Sequence, residues 1–264
     1  MAEPLVERVL ASAKYRGLDP AFVARVVTES RAAGRSDADV VKAAKRRLHQ
    51  AVGAFTAGRP VAALGRAREA LAADPGDRAA LVAAMRAHAS SAERVAHLDA
   101  VAALLVDWVG RPASVLDLAC GLGPLATPWL DLADGCRYWC CDVDRGLVDG
   151  LRALAPRLPV DLVVETVDLV TEVVAEPAEV ALALKAVTTL DQQRPGRAAV
   201  VLGALRCADV VVSVPSRSLG GGRRYTDPLD QVRRTAAAAG LDVLADRAIG
   251  VEHYVHLRVL GGRA

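Results

Sequence analysis

The residues best placed to do chemistry lie in the second half of the chain, each just after an apolar run. Gly121 and Gly123 follow the start of "VLDLACGLGPLA", Asp142 closes "YWCCD", and Asp168 follows "VVETV". A glycine turn after a buried strand lets the backbone approach a ligand closely, since a residue without Cβ accepts the dihedrals this requires. The run continues Pro124-Leu125 with no third glycine, so the close helix approach that a pyrophosphate uses is not provided. An acid about 20 residues beyond such a turn can accept hydrogen bonds from both ribose hydroxyls, a role open to Asp142. Asp168, at the next strand end, can bond an adenine amino group. Each aspartate alone suits a helix N-cap equally well; the three strand ends together fit S-adenosylmethionine.

The elements that would position these residues follow from periodicity. Before residue 110 the stretches "PLVERVLASAKYRG", "PAFVARVVTESRAAG", "DADVVKAAKRRLHQAVGAF", "RPVAALGRAREALAADPG" and "DRAALVAAMRAHASSAERVAHLDAVAALLVDWVG" space their apolar residues by three and four. This predicts an all-helical N-terminal domain over residues 1–110, of five or six helices, with Asp37 and Asp77 at N-cap positions. From Pro112 on, strand-like runs alternate with helical ones, which predicts a parallel sheet covered by helices over residues 111–264. "VLDLACGLGPLA" itself reads as strand, turn and helix. The last two runs, "LDVLADRAIG" and "EHYVHLRVL", are separated by a short turn and predict an antiparallel hairpin at the edge of the sheet. Seven strands in this order give an α/β fold class: a Rossmann-like, seven-stranded sheet of the class I methyltransferase type behind a helical domain.

Composition sets outer limits. The chain has 264 residues, 53% hydrophobic and 24% charged, with a net charge of +2. No apolar run approaches the roughly 20 residues that span a bilayer, and "MAEPLVERVL" lacks a secretory pattern, so a cytoplasmic protein without a membrane partner is expected. Its five cysteines show neither a C-x-x-C pair nor histidines at ligand spacing, so they read as reduced core residues, with no metal site. Basic side chains outnumber acidic ones 16 to 12 in residues 1–110, and acidic outnumber basic 19 to 17 thereafter.

The methyl acceptor is narrowed by what is missing. Enzymes that methylate exocyclic amines of bases carry an Asp/Asn-Pro-Pro-aromatic turn after the fourth strand; this chain has "LALKAVTTLDQQ". Attack at C5 of a pyrimidine needs a cysteine nucleophile in that region, and the next cysteine, Cys207, opens an apolar strand. A ring nitrogen with an in-plane lone pair, such as guanine N7, needs neither device, only positioning and electrostatic support.

Taken together, "VVKAAKRRLHQAVGAF", "HASSAERVAHLDAV", "LDLACGLGPLATPWL", "CDVDRGLV", "LALKAVTTLDQQ" and "VVVSVPSRSLGG" resemble the aminoglycoside-resistance 16S ribosomal RNA methyltransferases of the guanine-N7 type, in the same order over roughly residues 40–260. The resemblance implies an S-adenosylmethionine-dependent enzyme that methylates one guanine in the decoding site of the 30S subunit and confers aminoglycoside resistance. Carried over position by position, it implies a cofactor site of Phe55, His88, Ala89, Ser90, Arg94, Ala119, Gly121, Asp142, Asp168, Leu169, Leu184 and Gln193. Arg94 would pair with the carboxylate of the cofactor's methionine part, a task for a planar fork. Lys185 and Asp191 match the family's catalytic Lys and acidic positions; locally they could equally form an ion pair. The chain departs from the family at Gly123, where relatives usually keep Asn, at Asp191, where they keep Glu, and in the loop "GGGRRYTDP".

Binding of ribosomal RNA has its own signature. Lys42, Lys45, Arg46 and Arg47 form a basic helix segment suited to phosphate neutralisation, and Arg217, Arg223 and Arg224 form a second cluster on a glycine loop. Aromatic residues make up only 3%, leaving Tyr225 as the best candidate to stack on a flipped base, with Trp139 read as a core residue. Three other readings remain open at this level: a divergent relative with another RNA target, a small-molecule methyltransferase with a helical lid, and a non-catalytic RNA-binding module.

Overall fold

The computed structural model describes residues 3–53, 59–216 and 228–259. Seven α-helices precede the first strand among these residues, rather than five or six: α1 (Glu3–Leu10), α2 (Pro20–Ser30), α3 (Asp37–Leu48), α4 (Pro60–Ala73), α5 (Arg78–Met85), α6 (Ala89–Arg94) and α7 (Leu98–Val109). The excess arises because the final long helical run breaks at His88 and again at His97. Local chemistry explains the starts. Asp19 accepts the Phe22 N–H ahead of Pro20, and Asp77 caps α5 through Ala80. The cap of α3 is Ser36, not Asp37; Asp37 and Asp39 fall in its first turn and Lys45, Arg46 and Arg47 in its last, as the helix dipole favours.

One sheet follows, of β1 (Ser114–Leu118), β2 (Arg137–Asp142), β3 (Asp161–Thr166), β4 (Val180–Leu184), β5 (Asp209–Pro215), β6 (Leu241–Ile249) and β7 (Glu252–Val259), in the order β3-β2-β1-β4-β5-β7-β6. The first five strands are parallel; β7 is antiparallel to β5 and to β6, which forms the edge. The remaining helices are α8 (Arg145–Leu154), α9 (Ala186–Gln193), α10 (Arg197–Gly203) and α11 (Pro228–Ala239).

Side-chain alternation sorts the sheet into two faces. Val115, Tyr138 and Cys140 share a core with α4, α5, α7 and α8, whereas Leu116, Trp139 and Cys141 share one with α9, α10 and α11. All five cysteines are buried free thiols. A third, smaller core joins Leu5, Val9, Phe22, Val26, Val40, Ala44 and Leu48 within α1–α3. The helical half is thus not one packing unit. Residues 60–109 cover the sheet, and α4 lies so close to α8 that a Cβ at Gly150 would meet Leu64 at 2.6 Å. Only the segment up to residue 53 has its own core, and it docks on the loop after β2, where Asp19 donates its N–H to Val143 O and Leu18 bridges Asp144.

The segment after β1 is a 3-10 turn, Gly123–Trp129, in place of the expected α-helix. Pro128 has no N–H to give to the Pro124 carbonyl, which instead accepts the Thr127 hydroxyl at 2.9 Å.

Candidate active site

The parallel order reverses between β1 and β4, and a crevice opens there at the carboxyl ends of the strands, as the topology of open α/β sheets dictates. Counting the space open to solvent, the cleft measures about 770 Å³. Its wall includes His88, Ser90, Ala119, Gly121, Asp142, Asp168, Leu169, Leu184, Lys185 and Gln193, all expected from sequence. Ala51 and Val52, from the π-helical turn after α3, and Val143, Asp144, Leu147, Val167, Val170, Ala186, Thr189 and Leu190 complete it. Ala89 opens α6 beside it. Phe55, Arg217, Arg223, Arg224 and Tyr225 lie outside the described residues.

The strand ends are held in unusual backbone. Gly121 adopts φ +51°, and its missing Cβ is what lets the His88 ring pack on it: a Cβ there would lie 2.7 Å from Cε1. Ala119 and Lys185, at the ends of β1 and β4, also have positive φ, 51° and 62°, strain that clusters at functional clefts. Asp142 ties the turn together by accepting the Gly121 N–H at 2.9 Å and the Asp144 N–H at 3.0 Å. Burial raises the Asp142 carboxyl above the usual range, against the pull of these N–H groups. Burial, then the charges of Arg94 and Lys185, lower His88 to about 4, so the ring is neutral near pH 7.

Behind the wall lies a charged cluster that includes a residue sequence reading missed. Glu252 at the start of β7 is 1% exposed; it accepts the Ser213 hydroxyl at 2.7 Å, pairs with Arg94 Nε at 3.0 Å and lies 3.3 Å from Lys185 Nζ. Lys185 also pairs with Glu93. Arg94 Nη2 is a buried donor with no hydrogen-bond partner among the described residues, although Arg94 itself does not line the cleft. No periodic signal marks it, since Tyr254, Val255, His256 and Leu257 are buried as well, on both faces of β7. Lys185 and Asp191 do not pair with each other. Asp191 instead accepts the Ala198 N–H at 2.9 Å near the start of α10, and Gln231 lies 3.4 Å from its other oxygen.

On the N-terminal segment, Lys42 and Arg46 are exposed, while Lys45 and Arg47 are half-buried. Arg47 pairs with Glu29 of α2 at 2.5 Å. At the far end of the cleft Asp168 accepts from Arg25 of α2 through Nε at 2.6 Å, a contact that nothing in the helical periodicity of α2 announces.

Residues 11–251 match the model of the ribosomal RNA methyltransferase (FmrO) family. This chain belongs to that family. Among its relatives, a 16S rRNA (guanine(1405)-N(7))-methyltransferase of Micromonospora olivasterospora is 46% identical over 97% of this chain and 88% of its own length. One of the same name from Serratia marcescens is 36% identical over 81% of this chain and 80% of its own. Among solved structures, the 16S rRNA methylase RmtB superposes with a TM-score of 0.81 at 28% identity, covering 98% of both chains. The 16S rRNA methyltransferase RmtF, solved in complex with S-adenosyl-L-homocysteine, also gives 0.81, at 30% identity and 98% of both chains. The FmrO-family fold is therefore the class I methyltransferase sheet expected from the alternation of strands and helices.

Proposed function

We propose that this chain transfers a methyl group from S-adenosylmethionine to N7 of a guanine in the 16S RNA of the 30S ribosomal subunit, and that the modification protects ribosomes from aminoglycosides. The observation that carries the reading is the near full-length similarity to the 16S rRNA (guanine(1405)-N(7))-methyltransferase of Micromonospora olivasterospora, coupled to a cleft with carboxylates at successive strand ends. When bound, S-adenosylmethionine supplies an electrophilic methyl group on a positively charged sulfur.

The chain's own residues do the positioning. Asp142 has lone pairs left for ribose hydroxyls after its two backbone bonds, Asp168 and Gln193 form the adenine end, and Gly121 admits the cofactor backbone beneath His88. Arg94, with an unused buried donor, takes the carboxylate. Guanine N7 needs no proton removed, so a neutral His88 and a Lys185 already held by two carboxylates suit a reaction that runs on orientation rather than on a general base. Asp191, near the end of α9, ties that helix to the start of α10 and to α11, and serves by its negative charge beside the site where positive charge grows on the methylated ring. The separate core of residues 3–53 presents Lys42 and Arg46 to RNA phosphates, with Lys45 and Arg47 beside them. Arg217, Arg223, Arg224 and Tyr225 supply the second RNA contact. No helix among the described residues is long and apolar enough to cross a membrane, and none of their His, Cys, Asp and Glu clusters could hold a metal.

The test is transfer of a tritiated methyl group to isolated 30S subunits, followed by mapping of the modified base. Label at N7 of a single 16S guanine is expected, with gentamicin and kanamycin tolerance in cells that express the protein. Unlabelled RNA would overturn the activity, and label at adenine N1 would overturn the target.

A further inference from the structure

Resting on that reading of the cofactor cleft, we propose that Arg25, on the N-terminal helical segment, is a positioning residue for adenine recognition. Its guanidinium spans the two residues that form the adenine end. Nε donates to Asp168 Oδ2 at 2.6 Å, and Nη2 to Asp168 Oδ1 at 3.3 Å and to Gln193 Oε1 at 3.0 Å. Nη1 donates to both oxygens of Glu29, one turn further along α2, at 3.1 and 3.2 Å. The guanidinium face lies 5.2 Å from the Phe22 ring, and only 11% of the side chain is exposed. The fork is thus anchored in its own helix and directed at residues of the sheet domain more than 140 positions away.

The consequence follows from lone-pair and donor bookkeeping. A carboxylate offers about four acceptor positions. Arg25 takes two on Asp168 and the Val170 N–H, at 3.0 Å, takes another. One acceptor remains, in an orientation fixed on two sides, and an exocyclic amino group is what it can bind. Arg25 can only donate, so Gln193 must turn its oxygen toward Arg25 and its NH₂ away, where one N–H reaches Thr189 O at 3.5 Å and the other is left as a donor. Arg25 therefore sets an acceptor-plus-donor pattern that reads a 6-aminopurine and opposes a 6-oxopurine. A lysine would keep the charge and lose the fork.

The test compares the affinities of S-adenosylhomocysteine and S-inosylhomocysteine for the full chain by calorimetry, in the parent, Arg25→Ala, Arg25→Lys, Asp168→Ala and the Arg25→Ala/Asp168→Ala pair, with unfolding midpoints measured alongside. Arg25→Ala is expected to weaken the adenine ligand about tenfold, the scale of one charge-assisted hydrogen bond, and to move the adenine-to-inosine ratio toward one. Arg25→Lys should fall between. In the Asp168→Ala background Arg25→Ala should add less than it does in the parent, leaving only its effect through Gln193, since residues that share a contact are non-additive. Equal weakening of both ligands by Arg25→Ala would mark a merely structural residue and overturn the proposal. So would an unchanged ratio in both Arg25 variants alongside a collapsed ratio in Asp168→Ala, a result that leaves the cofactor reading standing. An unchanged ratio in Asp168→Ala would overturn the adenine reading itself and this proposal with it. Should Arg25→Ala fail to fold, the ratio in Arg25→Lys decides: reduced supports the role, unchanged overturns it.

Discussion

Gly123 is held against the carboxylate of Asp117: a Cβ on Gly123 would lie 2.6 Å from Oδ2. That oxygen also accepts the Tyr138 hydroxyl at 2.8 Å, so it cannot swing aside without losing a buried bond. Position 123 thus leaves no room for a side chain while Asp117 stays where it is. Gly123→Ala and Gly123→Asn should each cost about 1–3 kcal/mol of stability through overpacking. Urea unfolding, with the slope unchanged and the midpoint lowered, checks it; an alanine variant as stable as its parent would show that Asp117 relocates freely.

Asp117 makes a pH prediction as well. Burial raises its carboxyl to about 7, with the Tyr138 hydroxyl and Arg94 pulling the other way. The folded state therefore binds more protons than the unfolded state between about pH 4 and 7, and this group's contribution to stability declines as pH rises through that window. Asp117→Asn should gain on the parent between pH 5 and 8, by at most about 4 kcal/mol. His88, lowered to about 4, has the opposite slope: its contribution is present above the ordinary histidine range and is lost as pH falls toward 4. It is common to both proteins and cancels in their difference. A gap that stays constant from pH 5 to 8 would contradict the assignment.

Glu252 faces two cations, so its removal should be costly. Glu252→Leu is expected to destabilise by about 3 kcal/mol or more, because Arg94 and Lys185 are left buried with less compensation. Adding Arg94→Met should recover much of the loss, since a buried pair replaced by apolar groups is often neutral. Chemical denaturation of the two single variants and the double variant reads this directly.

The exposed cations of α3 should act on RNA alone. Lys42→Glu with Arg46→Glu is expected to weaken 30S binding and to flatten its dependence on salt by about one unit of log–log slope for each phosphate that is no longer neutralised, at unchanged cofactor affinity. Arg47 is the wrong residue for this purpose, because its pairing with Glu29 ties it to Arg25. An equal fall in cofactor affinity would show that the α3 face does not act on RNA alone.

How far the sequence could be read follows from what sets each feature. The succession of strands and helices along the chain and the places of Gly121, Asp142 and Asp168 were legible because period-two and period-3.6 patterns are local, and because the crevice must form at the strand ends. Pro128 carried the signal for a 3-10 turn, though one proline inside an otherwise helical run is easily overlooked. Arg25 and Glu252 were not legible: each sits among residues that already account for its element, and each is given meaning by partners on other elements, Asp168 for the first and Arg94, Lys185 and Ser213 for the second. Asp191 shows the converse, a position that matches a motif while its carboxylate is engaged by the neighbouring helix.

Because α4, α5 and α7 share a core with the sheet, the seam of this protein does not lie where its secondary structure changes character. A fragment beginning at residue 111 would lay bare Val115, Tyr138 and Leu151 to water, and such a greasy face invites aggregation. A graft that swaps N-terminal segments between relatives would have to keep the core of α1–α3 whole, and would need to carry along the partner that Arg25 reaches across to hold.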